Sequence, residues 1–274
     1  MGFLLGEKIF PNVIDTFNFL YEYKENSNSL SVVLSPIKNK FILRGYDFKT
    51  NKLFVSEKFI AYYTYNHENL INYLVDLISK NNYHSVNLTG SSKGSFGAII
   101  LGISLSKKLK LLKILCKVRV VAFSPQTEIY PLNNNIIGLP SYKNLIKFAK
   151  NYNSIDWGLK TYGLIRKILD DIDKNFLSIF VIYGENHFHD KVEAQRLSCS
   201  SLIKLLPIPS YSFHTSIVLY TKKGEQLSKT LTNKIHTSNE DAAYLSPKNS
   251  NNLLKDFLLN VDKFNYDLND LLLD

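Results

Sequence analysis

Residues 86–97 read Val-Asn-Leu-Thr-Gly-Ser-Ser-Lys-Gly-Ser-Phe-Gly. Gly90, Ser92 and Gly94 stand in the spacing G-x-S-x-G, in which glycines two residues to either side leave room for a serine on a tight, strained strand-to-helix turn. A β-rich run at 83–89 precedes the motif and an amphipathic helical pattern at 93–106 follows it. Ser92 is therefore the candidate nucleophile, and the chemistry such a turn serves is acyl transfer through an acyl-serine.

A serine hydroxyl is a weak nucleophile at neutral pH, so Ser92 needs a base within hydrogen-bond reach and an acid to orient that base. In an α/β-hydrolase arrangement these follow in the chain order serine, acid, histidine, each from a loop beyond a later strand. Asp190 follows the strand pattern at 177–183, and His214 follows the next strand. His67, His84 and His236 lie at the wrong position relative to the strands, while His187 and His189 share the loop of the acid. Glu185 shares that loop too and is the alternative acid; Asp190, just before a helix pattern, could instead cap that helix. The developing oxyanion needs fixed donors. The backbone N–H of Lys93 is one; Ile37, with Ser35 as the alternative, supplies the second, since Pro36 has no N–H. The Lys93 side chain either meets a phosphate or carboxylate of the substrate or is solvated on the first turn of its helix.

The elements that would carry these residues alternate. Strand patterns at 30–35, 41–48, 52–56, 118–123, 177–183 and 202–207 are interleaved with helix patterns at 69–80, 159–172 and 191–199. That alternation predicts an α/β fold with a mostly parallel central sheet and helices on both faces, of the α/β-hydrolase kind, as a single domain over 1–274. An irregular Asn-, Pro- and Tyr-rich stretch breaks the pattern, so that 126–174 reads as a lid-like insertion. Its aromatics, Trp157 among them, could stack on a sugar or only hold the insertion to the body. A C-terminal helical segment at 251–274, with Leu253, Leu254, Phe257, Leu258, Val261 and Phe264 on one face, covers a sheet edge or pairs subunits into a homodimer.

With 33 basic and 24 acidic side chains, the formal charge of +9 favours a polyanionic partner. The densest basic cluster is Lys107, Lys108, Lys110, Lys113, Lys117 and Arg119; its first members suit a helix C-terminus and the rest a solvated turn. No nucleic-acid-binding motif accompanies the charge. The chain lacks a stretch long and apolar enough for a transmembrane segment, and its start lacks the pattern of a signal peptide, so a cytoplasmic protein is expected. Cys116 and Cys199 each lie beside apolar patterns, as buried free thiols of a reducing compartment do, and they carry no metal signature.

The segment Leu88-Thr89-Gly90-Ser91-Ser92-Lys93-Gly94-Ser95-Phe96-Gly97-Ala98 resembles the elbow of bacterial capsular polysaccharide O-acetyltransferases with an α/β-hydrolase fold, where a Gly-Ser-Ser-Lys-Gly stretch carries the nucleophile. The likeness extends to Ser124-Pro125-Gln126, where those enzymes also carry a Pro-Gln pair, and to the order of acid and histidine. Ser95 departs from it, standing where a third glycine is frequent, which should alter helix packing more than chemistry. The resemblance implies that Ser92 takes an acetyl group from acetyl-CoA and passes it to a hydroxyl of an acidic polysaccharide, with His214 as base in both half-reactions, Gln126 near the substrate, and a location at or near the inner membrane with capsule-assembly proteins. A serine esterase or deacetylase of acylated glycans would use the same acyl-enzyme with water as acceptor. A non-catalytic hydrolase-like binding module is the third possibility, disfavoured by an intact Ser92, Asp190 and His214.

Overall fold

The computed structural model describes residues 11–170, 172–236, 257 and 266–273. Seven strands form one sheet: β1 (Phe17–Glu22), β2 (Ser29–Leu34), β3 (Asn51–Glu57), β4 (Ser85–Ser91), β5 (Lys117–Phe123), β6 (Leu177–Gly184) and β7 (Ile203–Ile208). Their spatial order is β1-β3-β2-β4-β5-β6-β7, with β1 antiparallel to β3 and every other pairing parallel. The helices are α1 (Pro11–Thr16), α2 (His67–Asn81), α3 (Lys93–Leu111), α4 (Pro140–Asn151), α5 (Asn153–Tyr162), α6 (Ile165–Ile168), α7 (Phe188–Gln195), α8 (Ile217–Thr221), α9 (Gly224–His236) and α10 (Leu268–Leu273).

The two faces of the sheet are assigned by the period of two along each strand. Leu30, Val32 and Leu34 of β2 and Val118, Val120 and Ala122 of β5 point into one core, with α2 and α3 above it. Val33, Val121 and Phe123 point into the other, beneath α8 to α10. Because both faces are covered there, the C-terminal halves of β2 and β5, Val32-Val33-Leu34 and Val120-Val121-Ala122-Phe123, read as continuous apolar runs. Apolar residues Leu70, Ile71, Leu74, Leu77 and Ile78 give α2 one buried face, and left-handed Asn66 and Asn82 bound it. In contrast α3 is buried almost all round, clamped between the sheet and α2.

Several sequence expectations need correction. Residues 41–48 are not a strand but an irregular loop: Leu43 takes φ 60° and Phe48 buries its ring without joining a ladder. The expected helix at 159–172 breaks at Gly163, whose carbonyl accepts from the N–H groups of Ile129 and Tyr130 at 2.7 and 3.0 Å, and Leu164 then pairs with Glu128. Upstream, the stretch read as irregular contains α4 and α5, whose Tyr142, Leu145 and Leu159 enter the main core. The helix expected at 191–199 starts and ends earlier, as α7, followed by turns. Cys116 is buried, with its thiol pushed up to about 12 by burial, whereas Cys199 is exposed; both are free. Of the C-terminal apolar residues only Phe257 is described, buried in the second core; Leu253, Leu254, Leu258, Val261 and Phe264 lie outside the described residues. No helix among the described residues is long and apolar enough to cross a membrane.

Candidate active site

At the C-terminal end of β4 the chain turns into α3 through Ser92, at φ 55° and ψ −120°. This conformation is strained for a serine and persists only where the surroundings hold it. They do so closely. A Cβ on Gly90 would lie 2.5 Å from the carbonyl carbon of Gly94, and one on Gly94 would run into the carbonyl oxygen of Leu34, so neither position tolerates a side chain. The Ser92 N–H donates to the Phe123 carbonyl at 2.9 Å. The Ser95 hydroxyl lies 2.7 Å from both the Gly90 and Phe123 carbonyls, tying the first turn of α3 to β4 and β5. The residue that departs from the familiar third glycine is thus a brace of the turn.

Asp190 stands in the first turn of α7, just beyond β6, and His214 in the loop beyond β7. The His214 Nδ1–H donates to Asp190 Oδ1 at 2.6 Å, with both side chains buried. Burial alone would raise the Asp190 carboxyl, but the adjacent His214 and His187 imidazoles hold it below the ordinary carboxylate range, so it is ionised at neutral pH. The capping role belongs elsewhere: His187 is the N-cap of α7, its Nδ1 accepting from the Asp190 N–H at 3.2 Å. Glu185 is exposed and directs its backbone, not its carboxylate, into the ordered contacts, donating its N–H to Ile208. Asp190 is thus the carboxylate that His214 meets. The loops of Ser92 and His214 are linked: Ser124, next to the Phe123 that receives the Ser92 N–H, pairs its hydroxyl with that of Ser216 at 2.8 Å, two residues beyond His214.

Two participants were not legible as such in the sequence. His187 Nδ1 lies 3.1 Å from Asp190 Oδ1 as well as accepting from the Asp190 N–H. One ring nitrogen cannot do both: unprotonated it caps α7, protonated it would donate to the carboxylate. Glu193, buried on α7, accepts from the N–H and hydroxyl of Thr127 and from the side-chain amides of Asn133 and Asn135, at 2.8 to 3.0 Å, and meets Arg196 at 3.3 Å. It bolts the start of the 126–174 insertion to the helix that bears Asp190. An acidic residue among polar partners distant in sequence carries no local signal for this.

Lys93 is the first residue of α3, so its backbone N–H is among the four that a helix leaves without an internal partner. Its side chain is half-buried, and its charge acts on Glu57. Glu57 is buried at the end of β3 and accepts from the N–H groups of Tyr63 and Ala61 at 2.8 and 3.2 Å. Burial pushes its carboxyl up to about 8, and those donors and Lys93 only partly offset this. Ile37, on the loop that Gly94 packs against, turns its N–H to Ser35 Oγ at 3.1 Å and could serve an oxyanion only by releasing that bond. The Ser35 N–H donates to Val55, which removes Ser35 as the alternative. Gln126 is buried beyond β5, with its Oε1 lacking a protein partner. Trp157 stands exposed on α5, in a shallow depression with Tyr65 to Asn69, apart from Asp190 and His214. His67, in that same region, bonds Tyr63 and Ser104, and burial lowers it to about 4, so it is a neutral structural group.

Among the described residues, His187, Asp190 and His214 are also the cluster whose donor atoms could surround a metal ion. The 2.6 Å contact between His214 and Asp190 is, however, a hydrogen bond that uses those same atoms.

The strand order, the reversed edge strand β1 and the serine turn after β4 define an α/β-hydrolase fold. No family model matches the chain, and no curated protein matches it. Among solved structures it is similar to esterase B from Lactobacillus rhamnosis, with 11% identity, 71% of this chain and 69% of that one covered, and a TM-score of 0.45. It is also similar to Est1E from Butyrivibrio proteoclasticus, at 11% identity, 74% and 89% coverage and 0.44. The Wnt deacylase Notum from Drosophila gives 13% identity, 68% and 77% coverage and 0.42. At such distances nothing about activity follows from these likenesses.

Proposed function

We propose that this protein is a serine-dependent acyl-transfer enzyme in which Ser92 is the nucleophile, His214 the base and Asp190 the acid that orients it. The observation that carries this reading is the buried 2.6 Å His214–Asp190 pair, linked through the loop of His214 to a serine held at φ 55°. In the first half-reaction Ser92 Oγ attacks the acyl carbonyl carbon while its proton passes to His214 Nε2. The oxyanion is met by the N–H of Lys93, and by that of Ile37 if it leaves Ser35 Oγ. Collapse expels the leaving group, which takes the proton from His214. In the second, His214 removes the proton of an acceptor hydroxyl as its oxygen attacks the acyl-serine carbonyl; collapse breaks the acyl–Oγ bond, and Ser92 Oγ takes the proton back from His214. Asp190 stays ionised throughout and stabilises the imidazolium.

For the donor and acceptor we infer acetyl-CoA and a hydroxyl of an acidic polysaccharide. The support is the likeness of residues 88–98 and of Ser124-Pro125-Gln126 to the capsular O-acetyltransferases, together with the charge of +9. In that reading Gln126 contacts the acetylated unit of the glycan, Trp157, in its separate depression, meets a more distant unit of the same polymer, and the Lys93 side chain meets an anionic part of a substrate. The test supplies acetyl-CoA with and without acidic polysaccharide and follows free thiol. Thiol release that depends on the polysaccharide, with acetate recovered as its ester, is the expected result. Release at the same rate in water alone makes the protein an esterase, and absence of an acetyl adduct on Ser92 with any activated ester removes the acyl-transfer reading itself.

A further inference from the structure

The sheet face beneath α10 changes character along its length. Its C-terminal half is apolar, through Val33, Val121 and Phe123, whereas its N-terminal half carries Ser29, Ser31, Ser85, Asn87, Lys117, Arg119 and Ser178 in register across β2, β4, β5 and β6. At that N-terminal rim the surface opens into a cleft of about 460 Å³, within the range of small-molecule sites. It lies one strand length, about 20 Å, from the turn of Ser92 at the opposite end of β4.

Lys117, Arg119 and Lys174 bring three positive charges to this cleft, and none of its described lining residues is acidic. Arg119 is fixed in place, donating to the Leu271 carbonyl at 3.2 Å with its guanidinium over the Phe180 ring. Asn87, buried in the cleft wall, has a side-chain nitrogen with no hydrogen-bond partner. A buried amide donor left without an acceptor is a net cost to the fold, which an acceptor oxygen of a ligand seated in the cleft would offset. Phe176 and Leu272 add an apolar wall beside the charges.

From this juxtaposition the geometry points to a second ligand site, separate from the acyl-transfer centre, that takes a phosphate monoester with an apolar or aromatic portion. A phosphate monoester carries close to two negative charges and three acceptor oxygens, which match two lysines, an arginine and an amide donor better than a monoanionic carboxylate does. The organic portion lies against Phe176 and Leu272. The site does not depend on the role of Ser92.

The experiment is calorimetric titration of the full chain with phenyl phosphate and, separately, phenylacetate at fixed ionic strength. One saturable site for phenyl phosphate, much weaker for phenylacetate, is expected. Lys117→Glu with Lys174→Glu should weaken phenyl phosphate by roughly tenfold or more, the loss of two charge-assisted contacts. Lys143→Glu with Lys147→Glu, an equal change of net charge on the exposed face of α4, should leave the affinity within about twofold, as screened distant charges do. Asn87→Asp should abolish binding, and if that variant fails to fold, the two lysine pairs still decide the matter. Absence of saturable binding, equal weakening by both lysine pairs, or equal affinity for phenylacetate would each overturn the proposal.

Discussion

Ser91 and Ser92 are neighbours in sequence but differ in placement. Ser91 closes β4 with its side chain buried, while Ser92 sits half-buried on the strained turn. Ser92→Ala is therefore expected to remove turnover by on the order of a million-fold, as loss of a catalytic serine does, without a change in melting temperature. Ser91→Ala should be mild in the same steady-state assay. The acid can be assigned in parallel. Asp190→Asn keeps the shape of the side chain but puts a donor where a carboxylate accepted from His214, and should cost roughly 10⁴-fold in kcat. Glu185→Gln, at an exposed position, should leave kcat nearly unchanged, and the reverse ranking in side-by-side kinetics would transfer the role to Glu185. These residues were legible because their signals are local or ordinal: a glycine spacing for Ser92, and position after successive strands for Asp190 and His214. In sequence His187 only shares the loop of the acid. Its actual place, capping α7 beside the carboxylate, depends on a turn geometry that residue order does not encode.

Among the elements, β2 to β7 and the helices α2 and α3 follow from periodicity, since burial on one or both faces selects their residues directly. The loop at 41–48 misleads for the same reason. Its aromatics are apolar because Phe48 and its neighbours fill the second core, and side-chain burial alone does not distinguish a loop from a ladder. The 126–174 insertion was opaque because its order comes from polar contacts between distant residues, centred on Glu193. Glu193→Ala would leave Arg196 and the amides of Asn133 and Asn135 without their buried anion, and breaking such a site costs about 3 kcal/mol or more. A fall in the urea midpoint is expected, with an added loss of activity because α7 carries Asp190. An unchanged midpoint would show that the insertion is held by its apolar contacts alone.

For the molecule as a whole, Glu57 sets a dependence of stability on pH. In the unfolded chain its carboxyl titrates in the ordinary range, and in the folded protein at about 8. Between those values the folded state keeps a proton that the unfolded state has released. The stabilisation is complete below about pH 4 and is lost as pH rises through about 8. The melting temperature should accordingly fall between pH 5 and 9 by several degrees, at roughly 2–4 °C per kcal/mol for a chain somewhat shorter than this one. Glu57→Gln, which retains an acceptor for the N–H groups of Tyr63 and Ala61, should flatten that slope. A slope unaltered by the substitution would place its origin elsewhere.

The brace at Ser95 reaches beyond the turn it holds. One hydroxyl shared between the Gly90 and Phe123 carbonyls means that Ser92 cannot relax toward ordinary backbone angles while β4 and β5 stay paired. Thermal inactivation should then run in step with the melting of the sheet, and heating should produce no folded but inactive species. Ser95→Ala, which removes about 1–3 kcal/mol of buried hydrogen bonding, should open an interval of temperature in which circular dichroism still reports the sheet but activity assayed at that temperature is already lost. That interval would measure how far the working conformation of the serine is borrowed from its neighbours.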